Sequence, residues 1–164
     1  SKERARRKNL LEKGEKRTKK NTRPLWKLEE IDYGRISNFV KVSPDGSNIL
    51  YSKYGFGENQ SLVWDVYYHN IDLKKNERVT ISRRANNACW SPDSKSIAFV
   101  AHKNSSSNLY ITSISDISNI RRVTNYSGDV QIVTPAWSPD GKSIAFALSK
   151  KDGNMDIVVF DLER

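Results

Sequence analysis

The sequence has very few of the residues that dominate metal, redox and disulfide chemistry. Its 164 residues include a single cysteine, Cys89, and only two histidines, His69 and His102. A lone cysteine excludes a disulfide within the chain, and neither His-Glu-x-x-His nor Cys-x-x-Cys occurs. Cys89 lies beside Trp90 in an apolar segment, which indicates a buried and inert thiol. We therefore expect no metal and no cofactor.

Long apolar runs and recognised catalytic loops are also missing. No run approaches the roughly 20 apolar residues that span a bilayer, and no signal peptide is visible. There is no Gly-x-Ser-x-Gly elbow, and the glycine-rich segment Tyr54–Glu58 lacks the Lys-Ser/Thr ending of a phosphate loop. The sequence therefore predicts no catalytic residue. Because it starts at Ser1 and its only methionine is Met155, we expect the chain to be part of a longer protein.

Positive charge is concentrated at the N-terminus. The chain carries a net charge of +9, and residues 1–23 hold eleven Lys and Arg against three Glu, so the remainder is nearly neutral. We predict a basic linker or tail over residues 1–25 that is solvated and partly helical. This segment lacks interleaved aromatic residues and any nucleic-acid motif, which argues against nucleic acid as a partner.

A repeat is the main signal in the sequence. The motif Ser-Pro-Asp begins at Ser43, Ser91 and Ser138, with spacings of 48 and 47 residues. An apolar residue or Trp precedes each motif and an alternating apolar segment follows it, in VSPDGSNILYSK, WSPDSKSIAFVA and WSPDGKSIAFAL. Three matches at a nearly constant spacing indicate a repeated structural module.

Each Ser-Pro-Asp motif has the chemistry of a tight turn. Proline fixes φ near −65°, aspartate accepts hydrogen bonds from local N–H groups, and glycine supplies a positive φ. Ser94 replaces the glycine in the middle copy, where we expect some local strain. The aspartates could instead serve metal or acid–base chemistry, but one per repeat gathers no second carboxylate. The predicted turn residues are Pro44, Asp45, Gly46, Pro92, Asp93, Pro139, Asp140 and Gly141.

Four short strand-like segments recur around each turn. The first copy contains Asn38–Val42, Ile49–Ser52, Val63–Ile71 and Glu77–Thr80. The second contains Ala88–Trp90, Ile97–Ala101, Leu109–Ile114 and Arg121–Thr124. The third contains Thr134–Trp137, Ile144–Leu148 and Asp156–Asp161. The pattern predicts an all-β fold over residues 26–164, a partial β-propeller of about three four-stranded antiparallel blades. The blades fall at about 36–80, 85–125 and 130–164, the last being incomplete.

Such a chain does not close a propeller by itself, since closed propellers have roughly four to eight blades. We expect the remaining blades to come from the same parent chain, and closure by oligomerisation is the alternative. Trp26, Leu28 and Ile31 mark the entry to the first repeat, where we expect either a strand of a preceding blade or a cap.

The whole pattern resembles the WD40-like blades of TolB-like propellers. The shared features are an apolar residue or Trp, then Ser-Pro-Asp-Gly-x-x-Ile-Ala-Phe, an Asp-Ile-Tyr-like strand, and Arg-x-Thr. The third copy is the most similar, and the departures are Val42, Ser94 and Asn108, where Asp65 and Asp156 stand in the other copies. The resemblance covers residues 36–164. It implies a non-catalytic propeller that binds partners in the periplasm, the cell envelope or outside the cell.

Two functions follow from the resemblance. The first is a scaffold that binds a protein or peptide through the loops joining the second and third strands of each blade, at Tyr54–Leu62, His102–Asn108 and Ser149–Met155. The candidate binding residues on these loops are Tyr54, Phe56, His102, Asn104, Lys150 and Asp152. The alternative is a propeller that gates substrate access to a peptidase, with the catalytic residues outside this chain.

The aromatic residues also have two interpretations. They could form a binding stripe, but most fall at alternating strand positions, which favours packing between neighbouring blades. The residues concerned are Trp64, Tyr67, Tyr68, Trp90, Tyr110, Trp137 and Phe146.

Overall fold

A computed structural model describes residues 29–163 and consists there of β-strands, turns and coil, without a helix. Within the described residues, the strands belong to one compact unit that begins at Asp32. The predicted basic tail at 1–25, together with Trp26 and Leu28, lies outside the described residues. The strands are β1 (Arg35–Val42), β2 (Asn48–Phe56), β3 (Leu62–Asn70), β4 (Lys75–Arg78), β5 (Ala85–Trp90), β6 (Ser96–Lys103), β7 (Ser106–Ser113), β8 (Asp116–Arg122), β9 (Gln131–Trp137), β10 (Ser143–Ser149) and β11 (Met155–Asp161).

The strands form three antiparallel sheets that follow the sequence repeat. The first sheet has the order β1-β2-β3-β4, the second β5-β6-β7-β8, and the third β9-β10-β11. Each Ser-Pro-Asp turn joins the first and second strands of its sheet. The predicted all-β partial propeller is therefore confirmed, with four-stranded sheets in the first two repeats and three strands in the described part of the third.

The first strand of each sheet contains a bulge and begins earlier than the sequence pattern predicts. The pairing register shifts between Asn86 and Cys89 in β5, and again within β9 opposite Ala145 and Ala147. Asn87 and Thr134 adopt left-handed backbone conformations at these bulges, with φ of 47° and 52°. The extra residue breaks the alternation of apolar and polar side chains, so the sequence pattern hides the first part of each strand.

The hairpins between the second and third strands are shorter than predicted. β6 and β7 are joined by Asn104 and Ser105 alone, whose φ values of 49° and 63° suit a two-residue turn. The prediction that His102 lies in a loop is therefore wrong, because it belongs to β6. The prediction is also wrong for Tyr54 and Phe56, which belong to β2.

The three Ser-Pro-Asp turns share one hydrogen-bond pattern. In the first turn the Ser43 hydroxyl donates to Asp45 Oδ1 at 2.6 Å and accepts from the Asn48 amide at 2.9 Å. The Gly46 amide donates to the Ser43 carbonyl at 2.9 Å. The corresponding bonds recur in the turns that begin at Ser91 and Ser138. The serine thus links the two ends of each turn, a role that the turn motif alone does not reveal.

Neighbouring turns also contact one another. Ser94 has a left-handed φ of 61°, and its hydroxyl accepts a hydrogen bond from the Asp45 amide of the preceding turn at 3.1 Å. At the equivalent position of the next turn, a Cβ placed on Gly141 would lie 3.4 Å from Pro92 Cγ. Ser94, the residue that departs from the repeat, therefore takes part in a hydrogen bond between sheets, which offsets its unfavourable backbone conformation.

Two variants of Ser94 separate the bond from the strain. Ser94→Ala keeps the left-handed backbone and loses the bond, so we expect the free energy of unfolding to fall by about 1 kcal/mol. Ser94→Gly also loses the bond but relieves the strain, so we expect a change within about 0.5 kcal/mol. Urea unfolding measures both, and equal losses in the two variants would contradict the assignment.

Two apolar clusters join the sheets, and both include β6. Ile97, Phe99 and Ala101 belong to the cluster that contacts the first sheet, whereas Ala98 and Val100 belong to the cluster that contacts the third. Alternate residues of a strand point to opposite faces, so the middle sheet is buried on both sides. The Trp90 indole N–H adds a polar contact between sheets, since it donates to the Lys41 carbonyl at 3.2 Å.

Candidate functional site

A buried aspartate in β3 fixes the chain segment that leaves the first sheet. Asp65 is 1% exposed and accepts hydrogen bonds from Arg78 Nη2 and Thr80 Oγ1, each at 2.7 Å. It also accepts from the amides of Ser82 at 3.0 Å and Arg83 at 3.2 Å. With both oxygens bonded in this way, Asp65 is a structural group that holds the backbone of Ser82 and Arg83 in place.

Asn108 plays the same part in β7 of the second sheet. Its Oδ1 accepts from Thr124 Oγ1 at 3.0 Å and from the Tyr126 amide at 2.7 Å, while its Nδ2 donates to the Tyr126 carbonyl at 3.0 Å. Asn108 Nδ2 therefore donates to a carbonyl oxygen that the oxygens of an aspartate would repel. We call the arrangements around Asp65 and Asn108 the first and second clamps.

The clamps also explain why β4 and β8 end before the Arg-Val-Thr sequences do. In the first sheet the amides of Val79 and Thr80 both donate to the Val66 carbonyl, at 2.8 and 3.3 Å, and Thr80 Oγ1 accepts from the Val66 amide at 3.0 Å. Val123, Thr124 and Leu109 make the same contacts in the second sheet. The threonine side chain thus replaces the backbone carbonyl as the partner on the neighbouring strand. The fourth strands therefore end earlier than the predicted segments.

A cleft of about 480 Å³ lies beside the β6–β7 hairpin, against the segment that the first clamp holds. Arg83, Arg84 and Lys103 line it together with His102, and no carboxylate is among its lining residues. The full lining is Ser82, Arg83, Arg84, Ala101, His102, Lys103, Asn104 and Tyr110. Because three permanent cations surround this space, it favours an anionic group.

A second cleft of about 300 Å³ shares Lys103, Asn104 and Tyr110 with the first. It is also lined by Arg122, whose Nε donates to the Thr124 carbonyl at 2.8 Å, and by Tyr126 of the second clamp. The Tyr110 ring stacks on Phe99 at 5.7 Å between centroids, which fixes its orientation. The β6–β7 hairpin therefore presents two basic clefts with one aromatic ring common to both.

His102 lines the first cleft as a neutral side chain. Burial lowers its pKa more than its hydrogen bond to Gln131 raises it, and its Nε2 lies 3.4 Å from Asn86 Oδ1. The imidazole therefore adds no positive charge at neutral pH, and the charge of the cleft comes from its arginine and lysine residues.

The lowered pKa of His102 predicts a pH dependence of stability. The unfolded chain binds this proton below pH about 6.5, whereas the folded chain takes it up only at lower pH. Stability is thus intact above pH about 6.5 and declines as the pH falls through that value. We expect His102→Gln to remove this part of the decline between pH 7 and 5 in thermal unfolding. Equal slopes in the two proteins would contradict the assignment.

The remaining candidate residues lie outside both clefts. Tyr54 packs against Trp64 at 5.2 Å between ring centroids, and the Phe56 side chain is 70% exposed. Lys150 pairs with Asp156 at 3.5 Å, and Asp152 accepts from the Asn154 amide at 3.2 Å within its turn. The structure thus brings His102 and Asn104 together at one cleft and places the other four on neighbouring hairpins.

A third cavity, of about 210 Å³, is formed by the first strands of the three sheets. Its lining residues are Phe39, Lys41, Asn87, Ala88, Thr134, Pro135 and Ala136. The left-handed residues Asn87 and Thr134 of the bulges both border it. No sequence signal pointed to this cavity, because the bulges that shape it interrupt the strand pattern.

The single cysteine behaves as a protected thiol. Burial raises the pKa of Cys89 to about 12, so the thiol stays protonated at physiological pH. Among residues 29–163, no three His, Cys, Asp or Glu side chains lie close enough together to hold a metal ion. A search of the same residues finds no helix with the length and apolar character to cross a membrane.

Comparison with known proteins agrees with this geometry. Residues 87–164 match the family model described as the TolB beta propeller domain. Residues 87–164 are therefore similar to the TolB propeller domain, and residues 35–161 as a whole form a partial β-propeller. A search of curated protein sequences returns no match to this chain.

Solved structures of three kinds share this fold. TolB from Acinetobacter baumannii is 26% identical with a TM-score of 0.61, over 78% of this chain and 30% of that protein. The propeller domain of the Trilobed protease from Pyrococcus furiosus is 20% identical with a TM-score of 0.60, over 80% and 40% of the two chains. Oligogalacturonate lyase from Vibrio parahaemolyticus is 16% identical with a TM-score of 0.56, over 81% and 38%. This chain therefore spans less than half the length of each, and the last two show the fold alone.

Proposed function

We propose that the TolB-like chain is a non-catalytic scaffold that binds an extended acidic segment of a protein or peptide partner. The observation that carries the proposal is the pair of basic clefts around the β6–β7 hairpin. Propeller domains of the TolB type are in general non-catalytic, and the likeness to TolB supports a place in the periplasm or cell envelope.

The shape and charge of the clefts support an extended partner. The two clefts lie on either side of the β6–β7 hairpin and share Lys103 and Tyr110, so one peptide can contact both. Arg83, Arg84 and Arg122 attract carboxylates, and arginine can bind them with two parallel hydrogen bonds. The Tyr110 ring offers apolar contact area between the charged positions.

The cleft variant Arg83→Ala/Arg84→Ala tests the proposal. We expect it to weaken binding of a fluorescein-labelled peptide of alternating glutamate and serine by about tenfold, because two charge-assisted contacts are lost. Fluorescence anisotropy at low salt measures the affinity. The basic tail is the same in every variant, so the difference between variants carries the result.

Lys95→Ala is the matched control. Lys95 is an exposed cation in the Ser-Pro-Asp turn of the same sheet, at the end opposite the β6–β7 hairpin. We expect its removal to leave the affinity within about twofold of the unmodified chain, since exposed charges act weakly at a distance. If the control weakens binding as much as the cleft variant, the binding is non-specific and the proposal is wrong.

A second candidate is a propeller that gates substrate access to a peptidase. The fold shared with the propeller domain of the Trilobed protease favours it. In that case the cavity between the first strands would line the substrate path, and Thr134→Trp would slow cleavage of peptides by the whole enzyme. Reading the parent sequence on both sides for a peptidase motif distinguishes the two candidates.

A further inference from the structure

The β2–β3 hairpin ends in two exposed apolar side chains. Phe56 is the last residue of β2 and Leu62 the first of β3, and the two lie directly opposite each other in the pairing register. Directly opposed residues of an antiparallel pair project from the same face, with Cβ atoms roughly 5 Å apart. Phe56 is 70% exposed and Leu62 is 49% exposed. We call these two residues the apolar pair.

The apolar pair lies on the face of the first sheet that meets the second sheet. Val66 lies four residues after Leu62 on β3, so the two side chains project to the same side. Val66 belongs to the buried cluster that also contains Ile97 and Phe99 of β6. The apolar pair is therefore exposed with its neighbouring sheet in place.

The hairpin tip is fixed against the wall of the first basic cleft. The Glu58 amide donates to Ser82 Oγ at 2.6 Å, and Ser82 lines that cleft. A Cβ placed on Gly57 would lie 2.5 Å from the same Oγ atom, so a larger residue would displace the serine hydroxyl. The Gly57 amide also donates to the Ser61 carbonyl at 2.8 Å, which closes the hairpin. Ser82 therefore holds the hairpin tip, with its apolar pair, next to the cleft.

We propose that the partner of the acidic-peptide site carries an aromatic or large aliphatic side chain next to its acidic residues. The apolar pair binds this side chain, while the first cleft binds the neighbouring carboxylates. The inference rests on the proposed acidic-peptide function and extends it, since it names a second feature of the partner's sequence. Charge and apolar contact at two adjoining sites together recognise such a partner.

The charges around the hairpin favour an apolar occupant over a further acidic one. A segment that Arg83 and Arg84 hold through its carboxylates brings its neighbouring residues within reach of the hairpin tip. Glu58 is an exposed acidic residue at that tip and repels a second negative charge. An apolar side chain instead removes area of Phe56 and Leu62 from water, which stabilises the complex.

Two labelled peptides separate the contributions of charge and apolar contact. The first is the fluorescein-labelled peptide of alternating glutamate and serine, and the second has one central serine replaced by phenylalanine. Both are titrated against the full chain by fluorescence anisotropy at low salt. We expect the phenylalanine peptide to bind about tenfold more tightly, because its ring is buried against the apolar pair.

Variants of two exposed apolar residues assign this gain to the apolar pair. Phe56→Ala should bring the affinities of the two peptides within about twofold of each other, because it removes the larger part of the apolar contact. Leu73→Ala is the matched control, since Leu73 is 75% exposed in the turn between β3 and β4, at the opposite end of the sheet. We expect the tenfold difference between the peptides to persist in that variant.

Failure of this inference and failure of the proposed function give different results. If the two peptides bind equally and Arg83→Ala/Arg84→Ala weakens both, the acidic-peptide function stands and the inference is overturned. Equal effects of Phe56→Ala and Leu73→Ala on the phenylalanine peptide would also overturn it, because the contact would then be non-specific. If Arg83→Ala/Arg84→Ala leaves the affinity of the glutamate–serine peptide unchanged, the proposed function is wrong and the inference is wrong with it.

Discussion

Replacing Asp65 with alanine is expected to lower the free energy of unfolding by about 3 kcal/mol. The substitution leaves the buried Thr80 hydroxyl and the part-buried amides of Ser82 and Arg83 without their acceptor. It also leaves Arg78 without its carboxylate, although the 31% exposure of that side chain lets water hydrate it. The partial hydration places the loss at the lower end of the range for breaking a buried ion pair. Urea unfolding of the full chain measures the loss.

Asp156→Ala is the control for this prediction, because it makes the same change at the same repeat position. Its side chain is 56% exposed, so we expect a change within about 0.5 kcal/mol. The loss of unfolding free energy in Asp65→Asn should fall between the losses in Asp65→Ala and Asp156→Ala. One amide oxygen cannot replace both carboxylate oxygens, and the amide N–H group would oppose a donor. Equal losses at positions 65 and 156 would show that the repeat position, and not the burial of the carboxylate, sets the energy.

The repeat and its turns were predictable because they depend on local chemistry. Proline and aspartate at Pro44 and Asp45 act on neighbouring backbone atoms, so the sequence shows the turn directly. The alternating residues after each turn mark the second strand for the same reason. The clamp is different, because Asp65 and Thr80 are fifteen residues apart and meet only when β3 and β4 pair. From the sequence alone, a polar residue in a strand is predicted to be exposed, because its hydrogen-bond partner lies elsewhere in the chain.

The clefts were only partly predictable. The sequence located the β6–β7 hairpin and the residues His102 and Asn104, but it assigned a loop of seven residues where a two-residue turn suffices. The other wall consists of residues 82–84, which lie in a connection between sheets without any periodic pattern. Their position depends on Asp65, seventeen residues before Ser82. A site of this kind emerges from a long-range hydrogen bond that the sequence does not signal.

The two clamps connect stability with the proposed binding site. The first clamp fixes Ser82 and Arg83 at one cleft, and the second fixes Tyr126 at the other. Asp65→Ala should therefore weaken acidic-peptide binding even under conditions in which the chain stays folded. Because Asp65 lies away from the lining of both clefts, it acts as a positioning residue. If Asp65→Asn restores at least part of the peptide affinity, the loss in Asp65→Ala comes from the missing hydrogen bonds and not from the missing charge.

Replacing Phe99 with alanine is expected to lower the free energy of unfolding by about 3 to 5 kcal/mol. The side chain is fully buried at 0% exposure, in the cluster that joins the first and second sheets. Its removal leaves a cavity and also takes away the ring on which Tyr110 stacks. Urea unfolding followed by tryptophan fluorescence measures the loss, since Trp90 belongs to the same cluster.

Phe56→Ala provides the matched control, because the same chemical change is made at a side chain that is 70% exposed. We expect it to change the free energy of unfolding by no more than about 0.5 kcal/mol. In a stack of repeated sheets, each sheet is stabilised by its contacts with its neighbours. Phe99→Ala should therefore uncouple the first sheet from the second and broaden the transition, whereas Phe56→Ala should not. A sharp transition in Phe99→Ala with an unchanged midpoint would mean that the sheets are held together by contacts other than this cluster.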